Sequence, residues 1–275
     1  MRKARVIMGL VLAVALLSAC VHMTETRVNV SASPVIDRIP QKGELVVGTD
    51  GNMPPLSMTT KEGEIIGLEA DLARYMAKSM GVTLRFEVMP FSELLPALEA
   101  GKVDMILSGV TITPERNLKV AFVGPYFISG QAFLTNSETI ARVKDASDID
   151  SPDTTLAAVK GTTSQILVEE ELPKAKLVTT EDYDEAVDLV IQDKVDALIA
   201  DYPICLIYPL RRPVEGLVAV IAPLTYEPIG IALPPNDPLL VNWVENVLNM
   251  LKGSGELKAL QKYWFKDASW LEQLP

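Results

Sequence analysis

The sequence predicts an α/β fold with parallel sheets, and two observations support this fold class. From residue 44 onward, short apolar runs alternate with amphipathic segments, which is typical of strands that alternate with helices. In addition, residues 101–108 (GKVDMILS) resemble residues 193–200 (DKVDALIA). We interpret the two copies as parts of two lobes of related topology. The alternative is a chance similarity, because parallel strands share an apolar composition.

The order of the predicted elements follows from hydrophobic periodicity. Apolar residues at spacings of three and four predict a helix over residues 68–80, and alternation predicts a strand over residues 82–88. The other predicted strands cover residues 44–49, 103–107, 154–159 and 195–200, and the other helices cover residues 92–100 and 163–171. One more helix is predicted after Thr180, a good N-cap, because the residues that follow it are acidic.

Composition and charge exclude several classes of protein. The chain has 275 residues, enough for a sizeable core, and its 25 basic and 36 acidic residues give a net charge of −11. A chain this acidic lacks the positive surface that nucleic acids require, so we expect no nucleic-acid partner. The single histidine, His22, falls in the leader region. We therefore predict no Ser-His-Asp or Cys-His triad and no His-rich metal site in the body. We also expect no metal and no cofactor.

The N-terminal segment is typical of a secretory signal. Basic residues at positions 2, 3 and 5 precede an apolar run over residues 6–17, which is too short to span a bilayer comfortably. The run ends in residues 17–20 (LSAC), which resemble a bacterial lipobox, a signal that is cleaved before a cysteine that is then lipidated. We predict a lipoprotein signal peptide over residues 1–19 and a lipid on Cys20. The alternative is an ordinary signal peptide, with Cys20 incidental.

The predicted mature chain is more acidic and has no internal disulfide. Removal of residues 1–19 takes away three basic residues and no acidic one, so the net charge becomes −14. Besides Cys20 only Cys205 remains, so stability must come from the core rather than from cross-links. Residues 20–41 lack clear periodicity and predict a tether. A packed strand around residues 27–30 is the alternative.

Four segments follow predicted strands, at the sheet edge where α/β proteins bind ligands. They are residues 48–50, 108–111, 160–164 and Asp201. Two lobes that bring such strand ends together would form a cleft. Asp104 and Asp196, by contrast, start the two echoed strands. We therefore assign these two aspartates structural roles in turns.

Arg116 lies beside one of these strand ends. Thr113 is a good N-cap and Pro114 suits the first helical position, so Arg116 falls in the first turn of a short helix. Its guanidinium can bind a carboxylate through two hydrogen bonds. The alternative is a surface arginine paired with Glu115 or another neighbour.

Two further segments have both a ligand-binding and a structural interpretation. The loop of residues 161–164 (GTTS) joins a strand to a helix, and its free N–H groups can bind an anion. Plain N-capping is the alternative, and the pattern of a phosphate loop is missing. The carboxylate of Asp201 can bind an ammonium group or cap the next helix, and Asp50 has the same two possibilities.

A set of ordered motifs resembles a known family. The motifs are GELVVGTD at 43–50, PPL at 54–56, GLEADL at 67–72, GKVD at 101–104, TITPER at 111–116, PY at 125–126, KGTTS at 160–164, VDALIAD at 195–201 and the final helix at 257–265. Their order and spacing resemble those of the extracytoplasmic solute-binding proteins of polar amino acid ABC transporters, bacterial solute-binding protein family 3. The resemblance covers about residues 43–266.

The resemblance implies a two-lobed periplasmic-binding-protein fold of type II, with two strands that cross between the lobes. Lobe 1 would comprise residues 40–129 and 228–275, and lobe 2 would comprise residues 130–227. The crossing strands would lie near residues 129–135 and 225–233.

The resemblance also implies a binding site for an amino acid. Arg116 would bind its α-carboxylate, and Asp201, from the other lobe, its α-ammonium. The full implied set is Asp50, Met53, Phe91, Ser108, Gly109, Thr111, Arg116, Thr162, Thr163 and Asp201. Met53 and Leu56 stand where many members carry aromatic residues. They either line the side-chain pocket or pack beneath the loop.

The implied function is that of a monomeric, lipid-anchored, extracytoplasmic protein that delivers an amino acid to an ABC permease. It would contact the membrane only through its lipid and would not be an enzyme. One alternative is a periplasmic dehydratase of prephenate or arogenate, a class that shares this fold. Its general acid would be Glu69 or Glu227. A ligand sensor for a separate partner protein is the other alternative.

Overall fold

The computed structural model describes residues 34–138, 140–143, 146–220 and 224–275. The predicted signal peptide, the lipidation site Cys20 and the alternative strand at residues 27–30 lie outside the described residues. In the part of the chain that is described, no helix is both long and apolar enough to cross a membrane.

Helices and strands alternate along most of the chain, as predicted. The helices are α1 Pro34–Lys42, α2 Leu68–Met80, α3 Phe91–Glu99, α4 Pro114–Asn117, α5 Thr163–Glu171, α6 Tyr183–Ile191, α7 Tyr202–Arg211, α8 Pro238–Ser254 and α9 Glu256–Lys266. The strands are β1 Glu44–Thr49, β2 Asn52–Met53, β3 Ser57–Thr59, β4 Ile65–Ile66, β5 Thr83–Val88, β6 Met105–Ile106, β7 Ala121–Ser129, β8 Gln131–Thr135, β9 Thr155–Val159, β10 Lys176–Thr180, β11 Ala197–Asp201, β12 Val218–Val220 and β13 Glu227–Leu233. Short 3₁₀ turns cover Ile140–Arg142, Ala146–Ile149 and Ser269–Gln273.

Two mixed five-stranded sheets organise these elements. The first has the strand order β5-β1-β6-β13-β7, and the second has the order β10-β9-β11-β8-β12. Strand β1 runs parallel to β5 and β6, and β9 runs parallel to β10 and β11. Strands β13 and β8 are antiparallel to their neighbours. We call the elements around the first sheet lobe 1 and those around the second lobe 2.

Helices cover both faces of each sheet, which is why the strands have continuous apolar sequences. Successive side chains of a strand point to opposite faces. In β1, Leu45 shares an apolar cluster with Leu72 of α2, whereas the next residue, Val46, shares another with Leu94 of α3. The core of each lobe therefore has two layers, one on either side of its sheet.

The chain crosses between the two sheets twice. Strand β7 ends at Ser129 and β8 begins at Gln131, so the first crossing is at Gly130. The second crossing precedes β13, where Leu224 donates its N–H to the Gln131 carbonyl and Thr225 Oγ1 accepts the Gln131 N–H, both at 3.1 Å. The predicted two-lobed α/β fold is confirmed. The residue limits that we expect for each lobe stay predictions.

Asp104 and Asp196 perform the same structural task in the two lobes. Oδ2 of Asp104 accepts the N–H of Val46 at 2.8 Å, and Oδ2 of Asp196 accepts the N–H of Thr155 at 2.7 Å. The N–H of each aspartate donates in return to the carbonyl of the same partner, at 2.8 Å. The predicted structural roles are confirmed. The similarity between residues 101–108 and 193–200 corresponds to the same contact between neighbouring strands in each lobe.

The predicted tether is wrong for residues 34–41, which belong to helix α1. Val35 and Ile39 lie on one face of this helix and are buried. Pro34 opens the helix at a position where proline is tolerated, but Pro40 lies inside it. Two prolines in so short a segment hide the helical spacing of its apolar residues.

The predicted N-cap Thr180 is also wrong. Thr180 is the last residue of β10, where it pairs with Val159, and its hydroxyl donates to the carbonyl of Asp182 at 2.9 Å. Asp182 caps α6 instead, because its carboxylate accepts the N–H of Glu185 at 2.8 Å. Threonine suits a strand as well as a cap, and strand pairing decides its role here.

Asp237 joins helix α1 to helix α8. This residue is fully buried, and its Oδ1 accepts the N–H of Leu240 at 2.9 Å, which caps α8. Its Oδ2 accepts the N–H groups of Val35 and Ile36 at 2.8 and 2.9 Å. One carboxylate thereby satisfies N–H groups that two helix starts would otherwise leave free.

We expect Asp237→Ala to lower the free energy of unfolding by about 2–4 kcal/mol, because three N–H groups lose a buried acceptor. Urea denaturation measures the loss. Asp182→Ala is the control, since it removes the cap of one exposed helix start and should cost about 1 kcal/mol. A loss for Asp237→Ala no larger than for the control would contradict its role in two helices.

Candidate ligand-binding site

A small cavity lies between the lobes where the predicted ligand-binding segments converge. Its walls lie close together and leave a free volume of about 10 Å³, which is room for about one water molecule. The lining residues are Met53, Phe91, Gly109, Thr111 and Arg116 from lobe 1, and Thr162, Thr163, Tyr183 and Asp201 from lobe 2. Both lobes therefore contribute walls, and the charged side chains come from opposite lobes.

Eight of the ten predicted site residues line this cavity, and Asp50 and Ser108 do not. The hydroxyl of Ser108 donates to Oδ1 of Asp50 at 2.8 Å and accepts the N–H of Asp50 at 2.9 Å. The two residues therefore bind each other, and Asp50 lines a neighbouring groove. Contact of these ten residues with a ligand stays a prediction.

Tyr183 lines the cavity but was not among the predicted residues. It is the first residue of α6 and is buried. The wrong cap at Thr180 placed this tyrosine inside the helix rather than at its start. With Asp182 as the cap, the helix start, and Tyr183 with it, comes to the ligand-binding edge of the sheet. If Asp182 rather than Thr180 is taken as the N-cap, the sequence places Tyr183 at the site.

The guanidinium of Arg116 is fixed at one wall of the cavity. The hydroxyl of Thr113 accepts the N–H of Arg116 at 3.2 Å, so the predicted helix start is confirmed. Nη1 donates to the carbonyl of Thr111 at 2.9 Å, and Nη2 donates to that of Gly161, in lobe 2, at 3.0 Å. The guanidinium also lies over the ring of Phe91, 5.7 Å from its centroid.

Arg116 does not form the surface ion pair that was its alternative role. Within the described residues, no carboxylate oxygen lies within 4.0 Å of its guanidinium. Burial lowers the pKa of Arg116, whereas the charges of Glu227 and Asp201 raise it. Since a guanidinium carries five N–H donors, two carbonyl acceptors leave donors free for a ligand carboxylate.

Asp201 places a nearly bare carboxylate at the opposite wall. It is the last residue of β11, is 4% exposed, and makes no side-chain bond to the start of α7. Oδ1 has no hydrogen-bond partner among the described residues. Burial raises the pKa of Asp201 to about 7, although the Ser129 hydroxyl and Arg116 lower it. The capping alternative is therefore not what the side chain does.

The loop before α5 caps its helix, and two of its residues also line the cavity. The hydroxyl of Thr162 accepts the N–H of Gln165 at 3.3 Å, so it caps the helix. Gln131, directly after the first crossing, donates from Nε2 to Oγ1 of Thr163 at 3.0 Å and accepts the hydroxyl of Ser164 at 2.6 Å. A residue at the crossing thus fixes the start of the helix that faces the cavity.

The two lobes approach each other closely at Gly161. This glycine has φ +78°, and a Cβ atom there would lie 3.2 Å from both Cα and Cβ of Ser92 in lobe 1. Together with the bond between Arg116 and the Gly161 carbonyl, this contact describes lobes that are closed over the cavity.

Met53 and Leu56 take different roles. Met53 is buried, lines the cavity, and has Sδ only 1.8 Å from where a Cβ atom of Gly109 would stand. Gly109 has φ +61°, so two independent reasons favour glycine there. Leu56 is fully buried and does not line the cavity, so it packs beneath the loop.

Glu69 supports this wall without lining the cavity. Its Oε1 accepts the N–H of Gly109 at 2.6 Å and the hydroxyl of Tyr126. Burial raises the pKa of Glu69 to about 7, although these hydrogen bonds lower it. Glu227, the other residue considered as a general acid, accepts the hydroxyl of Thr225 at 2.8 Å and does not line the cavity either.

An acidic groove adjoins the cavity. Its charged residues are Asp50 from lobe 1 and Glu181, Asp182, Asp184 and Arg211 from lobe 2. Residues 52, 90 and 182 line the groove, and the residues that follow them, 53, 91 and 183, line the cavity. The groove therefore begins where the cavity ends. Among the described residues, no group of three or more His, Cys, Asp or Glu side chains could hold a metal ion.

The sequence profile of bacterial extracellular solute-binding proteins, family 3, matches residues 45–267. The chain belongs to this family. The match spans both sheets and every residue that lines the cavity. It therefore accounts for the whole two-lobed body.

Several proteins with known structures or names are similar to this chain. A binding component of an ABC transporter from Wolinella succinogenes, complexed with lysine, is 38% identical, with a TM-score of 0.79, and the match covers 84% of this chain and 99% of that one. An ancestral amino acid-binding protein, a precursor of cyclohexadienyl dehydratase, is also 38% identical, with a TM-score of 0.78 and the same coverage. The arginine-binding periplasmic protein of Mannheimia haemolytica is 28% identical over 80% of this chain and 90% of its own length.

We expect the wild-type protein, without ligand, to lose more stability between pH 5 and pH 8 than the Asp201→Asn variant. Burial raises the pKa of Asp201 to about 7 from an ordinary 3.8. The folded state therefore binds a proton that the unfolded state releases, and this proton stabilises the folded state. The stabilisation is complete below about pH 4 and is lost as the pH rises through about 7. Urea denaturation across this range measures it. Equal pH profiles would contradict a raised pKa at Asp201.

Proposed function

We propose that this chain captures an amino acid between its lobes and delivers it to an ABC permease. One observation supports the proposal most directly. Arg116 of lobe 1 and Asp201 of lobe 2 face one small cavity, and Oδ1 of Asp201 has no hydrogen-bond partner among the described residues. An α-amino acid has a carboxylate and an ammonium group on one carbon atom. A single ligand of this kind can therefore bind Arg116 and Asp201 at the same time.

Charge pairing would couple binding to closure of the lobes. The free donors of Arg116 bind the α-carboxylate, and Asp201 binds the α-ammonium. Because these residues belong to different lobes, the ligand makes both contacts only in the closed state. A ligand that binds one state better shifts the equilibrium toward it. The closed form is the one that a permease would recognise.

The charge around the cavity favours an amino acid with a basic side chain. The adjoining groove carries the carboxylates of Asp50, Glu181, Asp182 and Asp184. Glu181 is paired with Lys160 at 3.7 Å and Asp184 with Arg211 at 3.2 Å, whereas no ion pair within the described residues involves Asp50 or Asp182. A side chain that extends from the cavity toward this groove meets negative potential. Two of the similar proteins bind lysine or arginine by their names, which supports the same class of ligand.

The proposal includes an extracytoplasmic location and a lipid on Cys20. It rests on the signal-like residues 1–19 and on the family, whose members are extracellular by description. Expression in a bacterium that processes lipoproteins should give a protein in the membrane fraction, with a diacylglycerol-modified N-terminus by mass spectrometry. Cys20→Ser should remain uncleaved or lack the lipid. A soluble wild type with an unmodified N-terminus would refute lipidation and leave the binding function untouched.

We expect Arg116→Ala to weaken L-arginine and L-lysine binding by roughly 100-fold or more, since it removes charge-assisted hydrogen bonds to the carboxylate. Isothermal titration calorimetry on refolded, ligand-free protein measures it. Arg142→Ala is the matched control, because that arginine forms an exposed ion pair with Glu138. Agmatine, which is arginine without its carboxylate, should bind equally to wild type and Arg116→Ala. Near-normal L-arginine affinity in Arg116→Ala would exclude this role.

Asp201→Asn should weaken amino acids far more than analogues that lack the α-amino group. The reason is that the neutral amide no longer balances the ammonium charge. The same titrations, with L-arginine and its deaminated analogue, measure the difference. Equal losses for both compounds would contradict the pairing.

A dehydratase is the second candidate, because one similar protein is the precursor of cyclohexadienyl dehydratase. The positions of Glu69 and Glu227 count against it, since neither lines the cavity. Incubation with prephenate or arogenate, followed by chromatography, tests this activity. Turnover that is lost in Glu69→Gln or Glu227→Gln would establish the enzyme.

A further inference from the structure

Asn52 connects lobe 1 to the start of helix α6 in lobe 2. Its Oδ1 accepts the N–H of Tyr183 at 2.9 Å, and its Nδ2 donates to Oδ2 of Asp184 at 3.0 Å. Asn52 directly precedes Met53, which lines the cavity, but does not line the cavity itself. Its two hydrogen bonds therefore join the lobes without using Arg116 or Asp201, the two side chains that we assign to the α-carboxylate and the α-ammonium.

The start of α6 needs the acceptor that Asn52 supplies. The first N–H groups of a helix have no partner within it. The side chain of Asp182 serves the N–H of Glu185, so the N–H of Tyr183 is left to Asn52. A cap from the opposite lobe thus completes this helix start only while the lobes are closed.

The carboxylate of Asp184 is held in place by hydrogen bonds within lobe 2. Its Oδ1 accepts the hydroxyl of Tyr208 at 2.8 Å and Nη1 of Arg211 at 3.2 Å. Both partners belong to α7 in the same lobe. Oδ2 is therefore oriented toward lobe 1, and a preorganised acceptor loses little freedom when it forms a bond.

We propose that Asn52 is a positioning residue that holds the lobes closed over the bound amino acid and so sets its release rate. The inference rests on the proposed function. The two bonds join the closed lobes, and they use neither of the charges that we assign to the α-carboxylate and the α-ammonium. Loss of Asn52 should therefore speed the release of L-arginine and L-lysine by similar factors, whereas Asp201→Asn discriminates between ligands by their ammonium group.

The test measures release of L-arginine by stopped-flow fluorescence. Asn52→Ala should raise the dissociation rate constant by about 5- to 30-fold, the effect of two net hydrogen bonds of ordinary strength. The association rate constant should change much less. Release of L-lysine should speed up by a similar factor.

Asn136→Ala is the matched control. Asn136 also makes two hydrogen bonds near α6, to the carbonyl of Val190 at 3.0 Å and to Oδ1 of Asp193 at 2.8 Å. Asn136 and its partners all belong to lobe 2. Its loss should lower the free energy of unfolding but leave the release rate unchanged.

Asn52→Asp keeps the size of the side chain and changes only its hydrogen bonding and charge. Aspartate keeps an acceptor for the N–H of Tyr183 but sets a second carboxylate against Asp184. Release should be faster than in Asn52→Ala at low salt, and the difference should shrink as salt screens the repulsion.

The outcomes distinguish this inference from the proposed function. If wild type binds L-arginine and Asn52→Ala releases it at the wild-type rate, the role of Asn52 is refuted and the binding function stands. If wild type binds no amino acid, the proposed function is refuted. In that case, small-angle X-ray scattering of the ligand-free proteins tests whether Asn52 holds the lobes together. Asn52→Ala should have a larger radius of gyration than wild type and Asn136→Ala. Equal radii would overturn the inference.

Discussion

Two opposite charges, held apart in one small buried space, are the interaction on which the rest of the structure depends. A carboxylate removed from water without a partner is costly, and Oδ1 of Asp201 has no partner among the described residues. Arg116 is fixed by backbone carbonyls instead of by that carboxylate. Because the fold prevents these two charges from neutralising each other, a molecule with both signs can stabilise the closed lobes more than a molecule with one.

Each wall of the cavity is braced within its own lobe. In lobe 1, Glu69 holds the backbone of Gly109. In lobe 2, Gln131 holds the side chains of Thr163 and Ser164. Neither of these two braces uses a contact from the opposite lobe. The lobes also contact each other directly, through the polar bonds of Asn52 and through the rings of Phe127 and Tyr202, whose centroids lie 6.0 Å apart.

Local patterns in the sequence predict most of the body and most of the cavity lining. Helix α5 and strand β1 follow from periodicity, and Arg116 follows from the cap at Thr113 and the proline after it. The errors arise where distant contacts decide. Helix α1 depends on a buried carboxylate about 200 residues away, and Thr180 is held in a strand by its neighbour β9. Asn52 could not be found from sequence, because its partners belong to the other lobe.

The double cap at Asp237 has a mechanical consequence. Helix α1 is tied through this carboxylate to α8, and through Arg38 to Asp104, so it is built into lobe 1. A force applied at Pro34 would therefore act on lobe 1 and not on the two segments that connect the lobes. A change in the position of lobe 2 would then require no change at Pro34. A protein held at this end would capture and release its ligand with the same energetics as one free in solution.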